Sequence, residues 1–183
     1  MDKGRNKKVV LLDRDGTINV DSGYVHKIED WKFVDGSVEA LKKLQKNGFI
    51  LTVVTNQSGI GHGLYGKADM EKLHQHMLSE LEQSGVVVAA IAFCPHHREA
   101  GCGCRKPDTG MVRQIEEKID SIDFQESWTI GDKIADVEFG QRLGTRTVLI
   151  RSKYWDEEAL QESGLAPNHI VESLFEAAEI IIK

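Results

Sequence analysis

Only three cysteines occur in the 183 residues, and all of them lie between Cys94 and Cys104. A disulfide framework uses even numbers of cysteines spread along a secreted chain, so this clustering points to metal ligation instead. Long apolar runs are missing as well. The first eight residues are polar and basic, and the run Val9 to Leu12 stops at Asp13, too short for a signal-peptide core or a membrane span. The expectation is a cytoplasmic protein with no membrane partner. An excess of positive charge is also absent: the formal net charge is −6, which argues against a nucleic-acid binder, so local basic residues must handle any phosphate. No repeat, low-complexity tract or linker interrupts the chain. Residues 1–183 are expected to form one domain, large enough to bury a core without staples.

Strand-like apolar runs alternate with helical periodicity, punctuated by glycine. Strands are expected at Lys8–Asp13, Phe49–Val54, Val86–Phe93, Trp128–Ile130 and Thr145–Ile150. Helices are expected from an Asp35 cap to Gly48, over Lys67–Ser84, Thr109–Ile119 and Ile134–Leu143, near Asp156–Ser163 and near Ser173–Ile182. This order predicts an α/β fold, a doubly wound, Rossmann-like parallel sheet with helices on both faces. The longest irregular stretch, Asn19 to Val34, leaves the end of the first strand, where such folds keep their ligands.

Four segments carry chemistry. Asp13-Arg14-Asp15-Gly16-Thr17 follows the first strand. One carboxylate can attack phosphorus while the other, one residue on, gives and takes the protons, with Mg²⁺ shielding both from an anionic substrate. Thr55-Asn56-Gln57-Ser58 follows the second strand and offers a hydroxyl and amides to a phosphoryl oxygen. Arg105-Lys106-Pro107 supplies cations, the main catalytic resource of phosphoryl transfer. Gly131-Asp132-Lys133 ends the fourth strand, with Asp136 beyond it. If strands one and four are neighbours at the switch point, Asp13, the main-chain carbonyl of Asp15, and Asp132 make a Mg²⁺ shell, with Asp136 read as a further member, a residue behind that shell or a helix N-terminal charge. Lys133, at the mouth of the site, is read either as a substrate contact or as a plain surface residue. A separate constellation, Cys94-x-His96-x₅-Cys102-x-Cys104, fits a closed tetrahedral structural Zn²⁺ site in a loop over residues 94–107. Its direct continuation into Arg105-Lys106 suggests that it fixes those two cations at the rim.

The Asp-x-Asp-Gly-Thr signature resembles that of the haloacid dehalogenase superfamily. In that superfamily the residue matched by Thr55 stabilises the phosphoryl group and the one matched by Lys106 neutralises it. Cys94-Pro95-His96-His97 with Cys102-x-Cys104-Arg105-Lys106-Pro107 looks like the group that holds heptose 1,7-bisphosphate phosphatases and histidinol-phosphate phosphatases. Asn19-Val20-Asp21-Ser22-Gly23-Tyr24-Val25 resembles the heptose branch. The resemblance implies a haloacid dehalogenase-like fold with no cap domain. It also implies removal of the C7 phosphate through an aspartyl-phosphate, in ADP- or GDP-heptose biosynthesis, with Asp13 as nucleophile and Asp15 as general acid/base. Asp21, Ser22, Gly23, Tyr24, Asn56, Gln57, Ser58, Arg105 and Lys133 are then substrate contacts. The substrate is a small sugar phosphate and a monomer is expected. One departure stands out: Gly59-Ile60-Gly61-His62-Gly63 replaces the group's common Gly-Ile-Ala-Arg-Gly, and His62 is read as a solvated loop residue. The rival readings are a histidinol-phosphate phosphatase, a polynucleotide 3′-phosphatase, and a non-catalytic zinc-organised interaction module.

Overall fold

The computed structural model describes residues 6–183; the polar start of the chain, residues 1–5, lies outside them. Six strands form one parallel sheet: β1 (Val9–Leu12), β2 (Ile50–Asn56), β3 (Val88–Cys94), β4 (Trp128–Gly131), β5 (Arg146–Ile150) and β6 (His169–Val171). Their order is β3-β2-β1-β4-β5-β6, so the chain reverses direction on the two sides of β1. Leu12 pairs with Val53 on one side and with Ile130 on the other. The residues that follow the ends of β1, β2 and β4 therefore converge on one crevice, as the switch-point rule requires.

Every residue of β1 is buried because both faces of the sheet are covered. Period-two alternation sends Val10 and Leu12 to one core and Val9 and Leu11 to the other. On the first face lie α1 (Ser37–Lys46), with Ala40, Leu41 and Leu44 inward, and α7 (Leu174–Ile181), with Leu174, Ala177 and Ala178 inward. α3 (Lys67–Gln83) adds Met77 and Leu81 to that core. The second face is covered by the segment around the single turn α4 (Arg113–Glu116) and by Phe139 of α5 (Ile134–Leu143). α2 (Ser58–Gly61) is a single turn after β2, and α6 (Glu157–Ser163) follows β5. No helix among the described residues is long and apolar enough to cross a membrane.

Three expectations need correction. Gly36, in the left-handed region at φ 78°, caps α1 in place of Asp35, and no side chain caps the helix. The helix expected over Thr109–Ile119 breaks into a 3₁₀ turn, Gly110–Val112, and α4. The cause is local: Gly110 N–H donates to Gly103 O at 2.9 Å, tying this start to the cysteine loop, and a Cβ on Gly110 would fall 2.4 Å from that oxygen. The strand β6 is new; at three residues it is too short to show alternation.

Candidate active site

Asp13 leaves β1 into the crevice with its side chain buried. Its Oδ1 accepts from Lys106 Nζ at 2.8 Å, and its Oδ2 lies 3.8 Å from Lys133 Nζ. Burial alone would raise the Asp13 carboxyl, but the ammonium groups of Lys106 and Lys133 outweigh it and hold the group below the usual carboxylate range. Lys106 is itself buried, where desolvation favours a neutral amine; Asp13 and Asp136 reverse that and raise its pKa. Its remaining partners are Asp136 Oδ1 at 2.6 Å and the Val54 carbonyl at 2.7 Å.

Asp132, at the end of β4, is buried. Its Oδ1 accepts from Lys133 Nζ at 2.8 Å, whereas its Oδ2 is removed from solvent and has no hydrogen-bond partner. Burial first, and the Asp13 charge second, push its pKa up to about 7. Asp13, Asp132 and Asp136 each place a carboxylate oxygen within 4.8 Å of the others. An orphaned carboxylate oxygen in a buried, all-oxygen acidic cluster fits a hard divalent cation. The backbone makes room for it: Gly16 has φ 86°, and a Cβ there would lie 2.2 Å from Asp132 Oδ2. Asp136 is tied to Lys106 and also accepts from the Lys133 backbone N–H at 3.0 Å, so it caps α5 and anchors the lysine at once.

Asp15 is held on all sides by nitrogen donors. Arg14 Nη2 lies 2.9 Å from both carboxylate oxygens, Gln57 Nε2 donates to Oδ2 at 2.9 Å and Asn19 Nδ2 to Oδ1 at 3.0 Å. Gln57 also donates to Thr55 Oγ1 at 2.7 Å and accepts from the Tyr65 hydroxyl at 2.8 Å. Asn56 spends its amide on the Lys106 backbone, accepting from its N–H at 3.0 Å and donating to its carbonyl at 3.2 Å. The end of β2 is thus stitched to the lysine loop.

These groups face a cleft of about 310 Å³ lined by Asp13, Asp15, Asp21, Gly23, Tyr24, Thr55, Asn56, Gln57, Ser58, Arg105, Lys106 and Lys133. Of the residues read from the sequence as substrate contacts, Ser22 alone is absent from this lining, and its side chain is exposed. His62 is exposed at the end of α2 beside Tyr24 and His97, outside the lining. Tyr65 and Tyr154 line the cleft without any motif to announce them. The Tyr154 hydroxyl donates to Asp21 Oδ2 at 2.8 Å, and Lys133 Nζ sits 4.5 Å from its ring centre.

The cysteine loop closes on itself. The Sγ atoms of Cys94, Cys102 and Cys104 and Nδ1 of His96 all lie within 4.8 Å of one another. Cys94 Sγ is 3.5 Å from Cys102 Sγ and 3.0 Å from Cys104 Sγ, too far for a disulfide, and the thiols are free. Two or three thiolates with one imidazole in a closed cluster is the donor set of a structural zinc site.

The family model described as "Polynucleotide kinase 3 phosphatase" matches residues 8–147. A D-glycero-beta-D-manno-heptose-1,7-bisphosphate 7-phosphatase of Photorhabdus laumondii is 40% identical over 172 residues, covering 89% of this chain and 91% of that protein. The protein of the same name from Escherichia coli K12 is 41% identical over 152 residues, 78% of each chain. Among solved structures, the D,D-heptose 1,7-bisphosphate phosphatase of B. bronchiseptica, complexed with magnesium and phosphate, superposes with a TM-score of 0.84 at 34% identity, covering 96% of this chain and 98% of that one.

Proposed function

Because this chain belongs to the heptose 1,7-bisphosphate 7-phosphatase family of haloacid dehalogenase-like phosphatases, we propose that it removes the C7 phosphate of D-glycero-β-D-manno-heptose 1,7-bisphosphate through an aspartyl-phosphate on Asp13. The observation that carries this reading is the Asp13 carboxylate, pinned through Oδ1 by Lys106 and facing the cleft beside the unpartnered Oδ2 of Asp132. Oδ1 is fixed, so Oδ2 is the attacking atom. As it bonds to phosphorus, the bond from phosphorus to the sugar C7 oxygen breaks, and Asp15 delivers a proton to that oxygen. Asp15 then takes a proton from water, whose oxygen attacks the same phosphorus. Asp13 is released as carboxylate and inorganic phosphate leaves.

Asp13, Asp132 and the Asp15 carbonyl would hold Mg²⁺, which supplies charge neutralisation at the phosphoryl oxygens. Lys106 and Thr55 bind those oxygens from the protein side. Lys106 sits in a water-poor site where a preorganised ammonium is worth far more than in solution. Cys94, His96, Cys102 and Cys104 would hold Zn²⁺, and the loop they close positions Arg105 for the second anionic group of the substrate by its planar fork. Asp21, Gly23, Tyr24, Ser58 and Lys133, all in the cleft lining, would take the sugar.

The β anomer is favoured by the names of the relatives. Phosphate release with Mg²⁺ from the two anomers, from histidinol phosphate and from a 3′-phosphorylated oligonucleotide tests the assignment. Preference for the β-bisphosphate is expected. Preference for histidinol phosphate would keep the chemistry and reject the substrate, and preference for the oligonucleotide would contradict the reading drawn from the net charge of −6.

A further inference from the structure

Arg14 stands between the two motif aspartates and is fully buried. Its Nη2 reaches both oxygens of Asp15 and the Val25 carbonyl at 2.7 Å, which joins the general acid/base to the loop over residues 19–34. Its Nη1 turns the other way, into α3, where it meets Met70 Sδ at 2.8 Å and His74 Nε2 at 3.2 Å. Arginine has donors only, so His74 must accept through Nε2 and carry its proton on Nδ1. His74 is itself buried, outside the cleft lining, and no step of the reaction uses it. A thioether is a weak acceptor, which leaves His74 as the one strong acceptor for this end of the guanidinium.

We propose that His74 is a positioning residue for the reaction: acting through Arg14, it orients the Asp15 carboxyl toward the leaving-group oxygen. The inference rests on the reading of Asp15 as general acid given above. Three nitrogen donors make four contacts with Asp15, and a small rotation of the guanidinium shifts the two that Arg14 Nη2 supplies. A change near 1 Å at such a group costs up to about 10²-fold in rate. His74 fixes the rotation from the far side.

The test is a leaving-group comparison on His74→Leu and His74→Gln, using kcat/KM, which reports phosphoryl transfer to Asp13. A sugar alkoxide needs its proton from Asp15, whereas p-nitrophenolate leaves without one. For His74→Leu, kcat/KM on the heptose bisphosphate is expected to fall about tenfold while that on p-nitrophenyl phosphate stays within about twofold. His74→Gln, which keeps a side-chain acceptor, restores most of the loss. Should His74→Leu not fold, His74→Met, which has no strong acceptor, carries the same comparison. Equal falls on the two substrates, or no change on either, overturn the inference. A wild-type protein active on the aryl ester and inactive on the bisphosphate overturns the substrate reading instead.

Discussion

Lys106 Nζ lies 2.8 Å from Asp13 Oδ1 with both side chains removed from solvent. A buried pair of this kind is weak evidence of net stabilisation, yet removing one partner strands the other. Here Lys106→Ala strands two, because Asp136 is the second partner. Destabilisation of about 3–5 kcal/mol is expected in urea unfolding, together with loss of turnover. Adding Asp13→Asn to the lysine variant removes one stranded charge, so the double variant is expected to recover part of the stability without recovering activity. Independent, additive effects of the two substitutions on stability would contradict this coupling.

The buried histidine makes stability depend on pH. Burial, reinforced by the Arg14 charge, brings the pKa of His74 down to about 3, against 6.5 when unfolded. The unfolded chain therefore binds more protons than the folded one between about 3 and 6.5, and this group's contribution to stability falls as pH drops through that window. The full shift sets an upper bound of about 5 kcal/mol, at about 1.4 kcal/mol per pKa unit. Unfolding free energies from pH 7 down to pH 4 are expected to fall less steeply in His74→Gln than in wild type. Parallel pH curves would show that His74 is not held neutral.

Zinc is expected at one equivalent per chain by elemental analysis of protein purified without chelator. Gly110 N–H donates to Gly103 O and ties the cysteine loop to the segment that follows it, and within the loop Arg105 Nη1 reaches the His96 carbonyl at 3.4 Å. Cys104→Ala should thus lose the metal, lower the melting temperature and raise KM more than it lowers kcat, because Arg105 at the rim loses its support first. A variant with full zinc content, or an unchanged KM, would contradict that role for the loop.

Tyr154 spans the mouth of the cleft from the loop after β5 to Asp21. Its phenol is pushed up to about 12 by burial and by the Asp21 carboxylate, so it remains a donor at every working pH. Tyr154→Phe removes the bond and keeps the ring over Lys133. A rise in KM of roughly three- to tenfold at nearly constant kcat is expected, the effect of losing a solvent-exposed hydrogen bond worth about 1 kcal/mol net. An unchanged KM would mean that Asp21 is held without it.

Much of this site was legible because chemistry-bearing residues follow strand ends. Asp13, Thr55 and Asp132 each stand directly after or within the end of an apolar run, and the parallel order brings β1, β2 and β4 side by side. The clustering of Cys94, His96, Cys102 and Cys104 was legible from spacing alone. What escaped was contact made across the fold. Arg14 reads as the variable position of a motif, His74 as one polar residue on an amphipathic helix, and Tyr154 as loop; their partners are 60 and 133 residues away. Asn56 and Gln57 were legible as members of the site but not in their geometry, since their amides hold Lys106 and Asp15. The short β6 and the broken helix after Gly110 escaped because neither is long enough for a periodic signal.

The most direct test of the central claim is acid-quench mass spectrometry of the enzyme mixed with heptose bisphosphate and Mg²⁺, mapping phosphate onto peptides after trapping the acyl phosphate. A phosphorylated peptide carrying Asp13 is expected within the first turnover, with none in Asp13→Asn, which should retain the fold and lose turnover. Substantial phosphate release by Asp13→Asn, or a trapped phosphate on any other residue, would contradict Asp13 as the nucleophile.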